Sequence, residues 1–241
     1  MKAEYSIFTD KGGRAINEDC AEAVRDGKRY CFIVCDGLGG HGMGDVASRL
    51  VADRLKEYFY ECDTEKFAKT AMFMAQKVLL TAQLENPKLK NMRTTAVILL
   101  TDGEKGIVLH IGDSRMYRFR EGHILSRTTD HSIPQMLCRL GEISEQEIRL
   151  HPDRNKLLRA LGDDGEALRF DRSDFDVKEG DAFLLCSDGF WEPVTEDIME
   201  KYLSDRKKAE KWLSSMSKYA MKNGKGRNMD NCTALAVVMR G

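Results

Sequence analysis

Six short runs of β-forming residues limit how this chain can fold: Tyr30 to Cys35 (YCFIVC), Thr95 to Thr101 (TAVILLT), Ile107 to Ile111 (IVLHI), Met116 to Arg120 (MYRFR), Ala182 to Cys186 (AFLLC) and Ala234 to Met239 (ALAVVM). Several are apolar throughout and lack the polar alternation of a half-solvated sheet, so they belong to sheets covered on both faces. Between the first and second runs, apolar residues return at helical spacing. They fall first at Ala47, Leu50, Val51, Leu55, Tyr58 and Phe59, then at Phe67, Ala68, Ala71, Met72, Ala75, Val78 and Leu79, which predicts two consecutive helices. Further helices are expected at Ser144 to Leu150, with a capping box of Ser144 and Glu147, at Thr195 to Leu203 and at Lys207 to Met221. Helices grouped between runs of strands, rather than alternating with them, predict an α+β fold.

No repeat, low-complexity tract or shift of composition divides the chain, and one domain over residues 1–241 is expected. With 38 basic against 39 acidic side chains the net charge is -1, which argues against nucleic acid as the main ligand. The densest basic stretch, Lys222 to Arg227 (KNGKGR), is short, has no interleaved aromatics and reads as a solvated loop. Seven cysteines, an odd number with no CxxC pair, make a disulfide framework or structural zinc a poor fit. The amino terminus lacks the apolar core of a signal peptide, and no apolar stretch approaches the roughly 18 residues of a membrane span. The expectation is a soluble, cytoplasmic protein with no membrane partner.

Aspartates sit where these strands end. Asp36 follows YCFIVC, Asp113 follows IVLHIG, Asp188 follows AFLLCS, and Asp230 lies just before ALAVVM. Aspartate is common in turns after strands, and any one of the four alone reads as a loop cap. Three of them abut glycine, as Asp36-Gly37, Gly112-Asp113 and Asp188-Gly189, so the backbone can approach an ion and Gly37 can offer its carbonyl. If the strand ends converge, that many like charges require a cation, and oxygen ligands suit hard Mg²⁺ or Mn²⁺ rather than zinc.

Gly37 to Gly42 also spells GxGxxG. Asp36 would set a carboxylate beside a pyrophosphate, the second strand with its acid about 20 residues on is replaced by a helical pattern, and no Walker lysine follows. A dinucleotide site is therefore set aside. Arg14, just ahead of Asn17-Glu18-Asp19, brings a planar guanidinium suited to phosphate together with two more acids.

In order along the chain stand Arg14-x-x-Asn17-Glu18-Asp19, Asp36-Gly37-Leu38-Gly39-Gly40-His41 with Gly44, Ala47 and Ser48, and Thr94-Thr95. Gly112-Asp113-Ser114-Arg115-x-Tyr117, Thr129-Asp130-His131-Ser132, Ser187-Asp188-Gly189 and Asp230-Asn231-x-Thr233 complete the set. From Arg14 to Val238 the chain resembles the metal-dependent protein phosphatases of the PPM/PP2C type in their compact bacterial form. The resemblance implies a four-layer αββα sandwich, two central antiparallel sheets flanked by helix pairs, with a metal centre at one end. It implies that Asp36 bridges two Mn²⁺ or Mg²⁺ ions, that the Gly37 carbonyl binds one, and that Asp188 and Asp230 bind the other. Asp19, and Glu18 less directly, would hold metal-bound water, Arg14 would bind substrate phosphate, and Asp113 with Asp188 would support a looser third ion. A flap is expected at about 132–172.

Three positions depart from the family pattern. Leu38 stands where eukaryotic members carry a histidine proposed as general acid, which leaves His41 as a candidate proton donor. Arg93 replaces a glycine before the two threonines, and Phe190 replaces a frequent leucine. The expected reaction is hydrolysis of phosphoserine and phosphothreonine on proteins by direct attack of a metal-bridging water, with no phosphoenzyme. The substrates would be phosphorylated by a Ser/Thr kinase and the enzyme would be a monomer. The competing readings are a catalytically silent phosphoprotein-binding adaptor and a two-metal phosphoesterase of small phosphates.

Overall fold

The computed structural model describes residues 1–39, 43–164, 167–205, 208–224 and 229–241. In chain order the strands are β1 (Lys2–Asp10), β2 (Asp19–Asp26), β3 (Arg29–Leu38), β4 (Arg93–Thr94), β5 (Ala96–Thr101), β6 (Lys105–Ile111), β7 (Arg115–Arg120), β8 (His123–Arg127), β9 (Asp171–Asp176), β10 (Ala182–Cys186) and β11 (Cys232–Arg240). The helices are α1 (Gly44–Glu61), α2 (Thr64–Glu85), α3 (Ile133–Arg139), α4 (Glu145–Ile148), α5 (Asp188–Trp191), α6 (Glu196–Asp205) and α7 (Ala209–Gly224). One antiparallel sheet runs β1-β11-β10-β7-β8 and the other β2-β3-β5-β6-β9, with β4 paired to β3.

The two-residue period of a strand explains the layering. Along β3, Cys31, Ile33 and Cys35 pack under α1 and α2 with Val51, Leu55, Phe67 and Met72. Tyr30, Phe32 and Val34 point the other way, against Phe183, Leu185, Leu235 and Val237 of the facing sheet. The outer face of that second sheet, through Leu184, Cys186, Ala234 and Ala236, packs on Trp212 and Met216 of α7. Three apolar seams thus separate four layers, helices, sheet, sheet and helices, and both central sheets are covered on both faces as their sequences require.

The expected strands and helices are all present, and the Ser144/Glu147 capping box forms at α4. Strands β1, β2, β4, β8 and β9 lie outside the sequence expectation. Four of these are the edge strands of the sheets, where one side of the ladder meets solvent and polar residues replace apolar ones, as in DRSDFD of β9. Lys222 to Gly224 form the last turn of α7 rather than a loop, and the rest of KNGKGR, like Lys207, falls outside the described residues. Among the described residues no helix is long and apolar enough to cross a membrane.

Candidate active site

The register of β2 on β3 sets Asp19 directly opposite Asp36. Asp36 is held by its backbone rather than its side chain. Its N–H donates to Thr95 Oγ1 at 3.0 Å, and its carbonyl accepts from the Thr95 N–H and the Thr94 hydroxyl, both at 2.8 Å. From the other sheet, β10 ends at Cys186, Ser187 caps α5, and Asp188 opens that helix. Ser187 then joins the sheets: its hydroxyl donates to Asp19 Oδ2 at 2.7 Å and accepts from the Thr233 N–H at 3.1 Å. Asp188 lies close enough for its charge to bear on Asp36.

Asn231 performs the same service for the segment before β2. Its Oδ1 accepts from the Glu18 N–H at 2.8 Å, and its amide donates to the carbonyls of Lys11 and Ile16 at 3.0 and 2.9 Å. Glu18 Oε1 in turn accepts from the Gly44 N–H at 3.2 Å. Close approach explains Gly37, because a Cβ there would lie 2.0 Å from the Gly44 carbonyl oxygen and 2.7 Å from that of Glu18. Gly112, which delivers Asp113 at the end of β6, has φ +102°, a region that disfavours any side chain. Arg14 reaches the cluster from the side, with Nη2 2.6 Å from Asp230 Oδ2 and 45% of its side chain exposed.

Five of these acids are forced away from their ordinary titration. Burial, then the charges of Asp19, Asp188, Asp113 and Asp230, hold Asp36 well above the usual carboxylate range. Burial pushes Asp19 up to about 7 against the hydrogen bonds from Ser187 and Thr233, and burial with the Asp230 charge takes Asp188 up to about 6. Asp113 is raised well above its ordinary value by burial, then by Asp188 and Asp130, with Arg115 opposing. Glu18 is raised by burial, with the Gly44 N–H opposing.

A sequence profile described as protein phosphatase 2C matches residues 12–232. The chain belongs to this family. The serine/threonine phosphatase stp of Listeria innocua is 34% identical over 251 aligned residues, covering 98% of this chain and 95% of the relative. The solved serine/threonine phosphatase Stp1 of Staphylococcus aureus superposes with a TM-score of 0.91 at 28% identity, covering 100% of this chain and 96% of that one. The PstP catalytic domain in complex with two manganese ions gives 0.84 at 27% identity, covering 99% of each chain. This chain shares with them an α+β architecture of two antiparallel sheets between helices.

The acids of this PP2C-family chain fit a hard divalent cation on their own chemistry. Asp19 Oδ1 is buried and has no hydrogen-bond partner among the described residues, an expensive state for an ionised carboxylate. The charges of Asp19, Asp188 and Asp113 bear on Asp36, that of Asp188 bears on Asp19 and Asp113, and the donors are all oxygen. His41, with its glycine neighbours Gly40 and Gly42, lies outside the described residues. Leu38 pairs with Arg93 across β3 and β4, and Arg93 Nε contacts Asp163 Oδ1 at 2.8 Å. Phe190 is fully buried and packs near Phe8, 6.5 Å between centroids.

Several residues of the family motifs have no evident role in the sequence but a plain one in space. Arg115 is buried, forks onto Asp130 at 2.8 and 2.6 Å, and lies 3.5 Å over the Trp191 ring. The Trp191 indole N–H donates to the Asp113 carbonyl at 3.0 Å, so this stack steadies the turn that carries Asp113. His110 and His131 stack 4.8 Å apart beside Asp171. There the Gly112 N–H occupies the lone pair of His131 Nδ1 at 3.2 Å, so the neutral ring carries its proton on Nε2, towards Asp171 Oδ2 at 3.3 Å. That tautomer leaves His131 no lone pair for a metal, and the trio reads as a brace between β6, β9 and the segment after β8.

Proposed function

We propose that this chain hydrolyses phosphoserine and phosphothreonine monoesters on proteins in a reaction that depends on two Mn²⁺ or Mg²⁺ ions. The observation that carries the reading is the convergence of Asp19, Asp36, Asp113 and Asp188, with one buried oxygen of Asp19 unpartnered, in a member of the protein phosphatase 2C family. Two divalent ions, when bound, lower the pKa of a shared water and draw charge from the phosphoryl oxygens. Asp36 and the Gly37 carbonyl would hold one ion, Asp36, Asp188 and Asp230 the other, and Asp113 with Asp188 a looser third. Asp19 and Glu18 would orient water beside them.

Arg14 presents its planar fork at the mouth of the site, where its contact with Asp230 leaves further N–H groups for a phosphate dianion. Water attacks phosphorus directly, and no side chain takes the phosphoryl group. Cys35 and Cys186 are fully buried and burial pushes both thiols up, the reverse of what a nucleophile needs. Leu38 has no proton to give, and His41 is retained as the proposed donor to the leaving group. We take residues 1–241 as one domain with a flap at about 132–172, acting as a cytoplasmic monomer that reverses a Ser/Thr kinase. A silent adaptor would have no use for so many unpaired acids.

The test is release of phosphate from a phosphothreonine peptide by EDTA-treated protein before and after Mn²⁺ or Mg²⁺ is restored, with Asp188→Asn alongside. Turnover that needs the metal and vanishes in the variant supports the reading. Folded protein inactive with either ion overturns it, and faster turnover of nucleotide or sugar phosphates than of phosphopeptides redirects it to small phosphates.

A further inference from the structure

A cleft of about 470 Å³ runs beside the acid cluster, and its lining joins Arg14, Asp188 and Asp230 to three apolar side chains, Leu150, Pro193 and Met229. Leu150 is 85% exposed. A single exposed leucine is ordinary on a protein surface. This one is distinguished by what shares its cleft and by how firmly it is held there.

Ile148, two residues earlier, is buried in the seam beneath the helical layer. Arg149 donates to Glu196 Oε2 at 2.5 Å and to the carbonyls of Glu192 and Val194 at 3.3 and 3.4 Å. The Leu150 N–H itself donates to the Glu147 carbonyl at 3.1 Å, and on the far side Arg154 pairs with Glu192 at 2.9 Å. Leu150 is thus fastened on both sides to the α5–α6 corner. Met229 is held beside Arg14, its carbonyl accepting from the Gly13 N–H at 2.9 Å. The rest of the lining is polar, and the guanidiniums of Arg149 and Arg154 are already taken by Glu196 and Glu192, so the apolar side chains held beside the Arg14 anchor are what the cleft offers to an apolar part of a ligand.

We propose that Leu150, Pro193 and Met229 form an apolar subsite for a bulky hydrophobic side chain flanking the phosphorylated residue of the substrate. The inference rests on the phosphatase reading and adds a substrate class: phosphopeptides with an aliphatic or aromatic neighbour, rather than bare phosphate monoesters or peptides with acidic flanks. The phosphate engages Arg14 and the metal centre, and the neighbouring side chain covers Leu150.

Phosphothreonine peptides identical except for Leu, Ala or Asp at each flanking position test this on the metal-loaded protein. The same peptides carrying a non-hydrolysable phosphonate give Kd values independent of turnover. The leucine-flanked peptide is expected to be favoured about tenfold in kcat/KM, the scale on which hydrophobic pockets discriminate, mainly through KM. Leu150→Ala is expected to erase most of that preference and Leu150→Glu to reverse it, with Kd following the same order. Wild-type protein that treats the peptides alike overturns the subsite, as does a Leu150→Ala variant that slows every peptide by one common factor. If no peptide is cleaved, the phosphatase reading falls, and the phosphonate Kd values still decide the subsite: a leucine preference lost in Leu150→Ala upholds it, and equal binding overturns it.

Discussion

Buried and half-buried carboxylates occur in two settings in this molecule and meet opposite fates. Asp130, beside Arg115 at the start of β7, and Asp181, just ahead of β10, are buried, yet each has guanidinium partners: Arg115 for Asp130, and Arg118 and Arg120 for Asp181. Asp181 is pulled below the ordinary carboxylate range, since Arg120 and the Lys178 N–H outweigh its burial. At the strand ends, Asp19, Asp36, Asp113 and Asp188 are pushed up, chiefly by burial and then by neighbouring carboxylates. Asp130 and Asp181 thus have cations of the chain's own beside them, whereas among the described residues no ion pair reaches Asp19, Asp36, Asp113 or Asp188. The contrast separates scaffold from site without reference to any relative.

The sharpest way to break that contrast is to neutralise one acid in each region. Asp36→Asn or Asp188→Asn is expected to lower phosphopeptide turnover by orders of magnitude while the metal-free protein melts no lower, because the substitution relieves repulsion. Steady-state kinetics and thermal melts in EDTA check both halves, and full activity in either folded variant removes that residue from the metal centre. Asp130→Ala is expected to do the opposite, costing about 3–5 kcal/mol of stability because it strands the buried Arg115 charge. Denaturant unfolding measures it, and a cost below about 1 kcal/mol would show that Arg115 finds another partner among Tyr117 and Glu196.

Asp181 and the acids at the strand ends are also expected to titrate with opposite sign. Acids whose folded pKa is raised bind more protons in the folded state, so their contribution is fully present below the unfolded value near 4 and is lost as pH rises through about 6 for Asp188 and about 7 for Asp19. Asp181, with its lowered pKa, contributes stability above its unfolded value and loses it as pH falls. Metal-free protein is therefore expected to melt progressively lower between about pH 4 and pH 7, and Mn²⁺ is expected to recover most of that loss. Melting curves with and without metal that run parallel across this range would contradict the uncompensated state of the cluster.

Legibility in the sequence follows the same division. Central strands such as β3, β5 and β10 are apolar on both faces and announce themselves, whereas the edge strands β1, β2, β8 and β9 trade apolar residues for polar ones and read as loops. The acids were visible because each follows a strand and abuts glycine, a local signal. The groups that position them were not, because a hydroxyl or amide gives no hint of a distant partner: Ser187 reaches Asp19 across 168 positions and Asn231 reaches Glu18 across 213. Thr95, Trp191 and Arg115 act in the same way, through backbone groups or ring faces that no spacing rule encodes.

Arg14 tests the boundary between the regions, being a cation of the chain placed beside the uncompensated cluster. Arg14→Ala is expected to raise KM for phosphopeptides several-fold with a smaller loss in kcat, because the guanidinium engages phosphate before and during the reaction. An unchanged KM would confine Arg14 to its ion pair with Asp230.

The smallest effect is expected where the same Arg–Asp chemistry meets solvent. Arg93 and Asp163 form a contact of 2.8 Å, close to the 2.6 Å of Arg115 with Asp130, but their side chains are 49% and 42% exposed against 3% and 1%. Water screens both charges and remains available to each when the other is removed. Arg93→Ala is therefore expected to cost at most about 1 kcal/mol, and less at high salt, with turnover altered less than by any substitution above. Urea unfolding at low and high ionic strength reads this directly. A loss approaching that of Asp130→Ala would mean that the Arg93–Asp163 pair, which ties β4 to the segment preceding β9, holds that segment in place, and that burial alone does not divide structural from dispensable ion pairs in this fold.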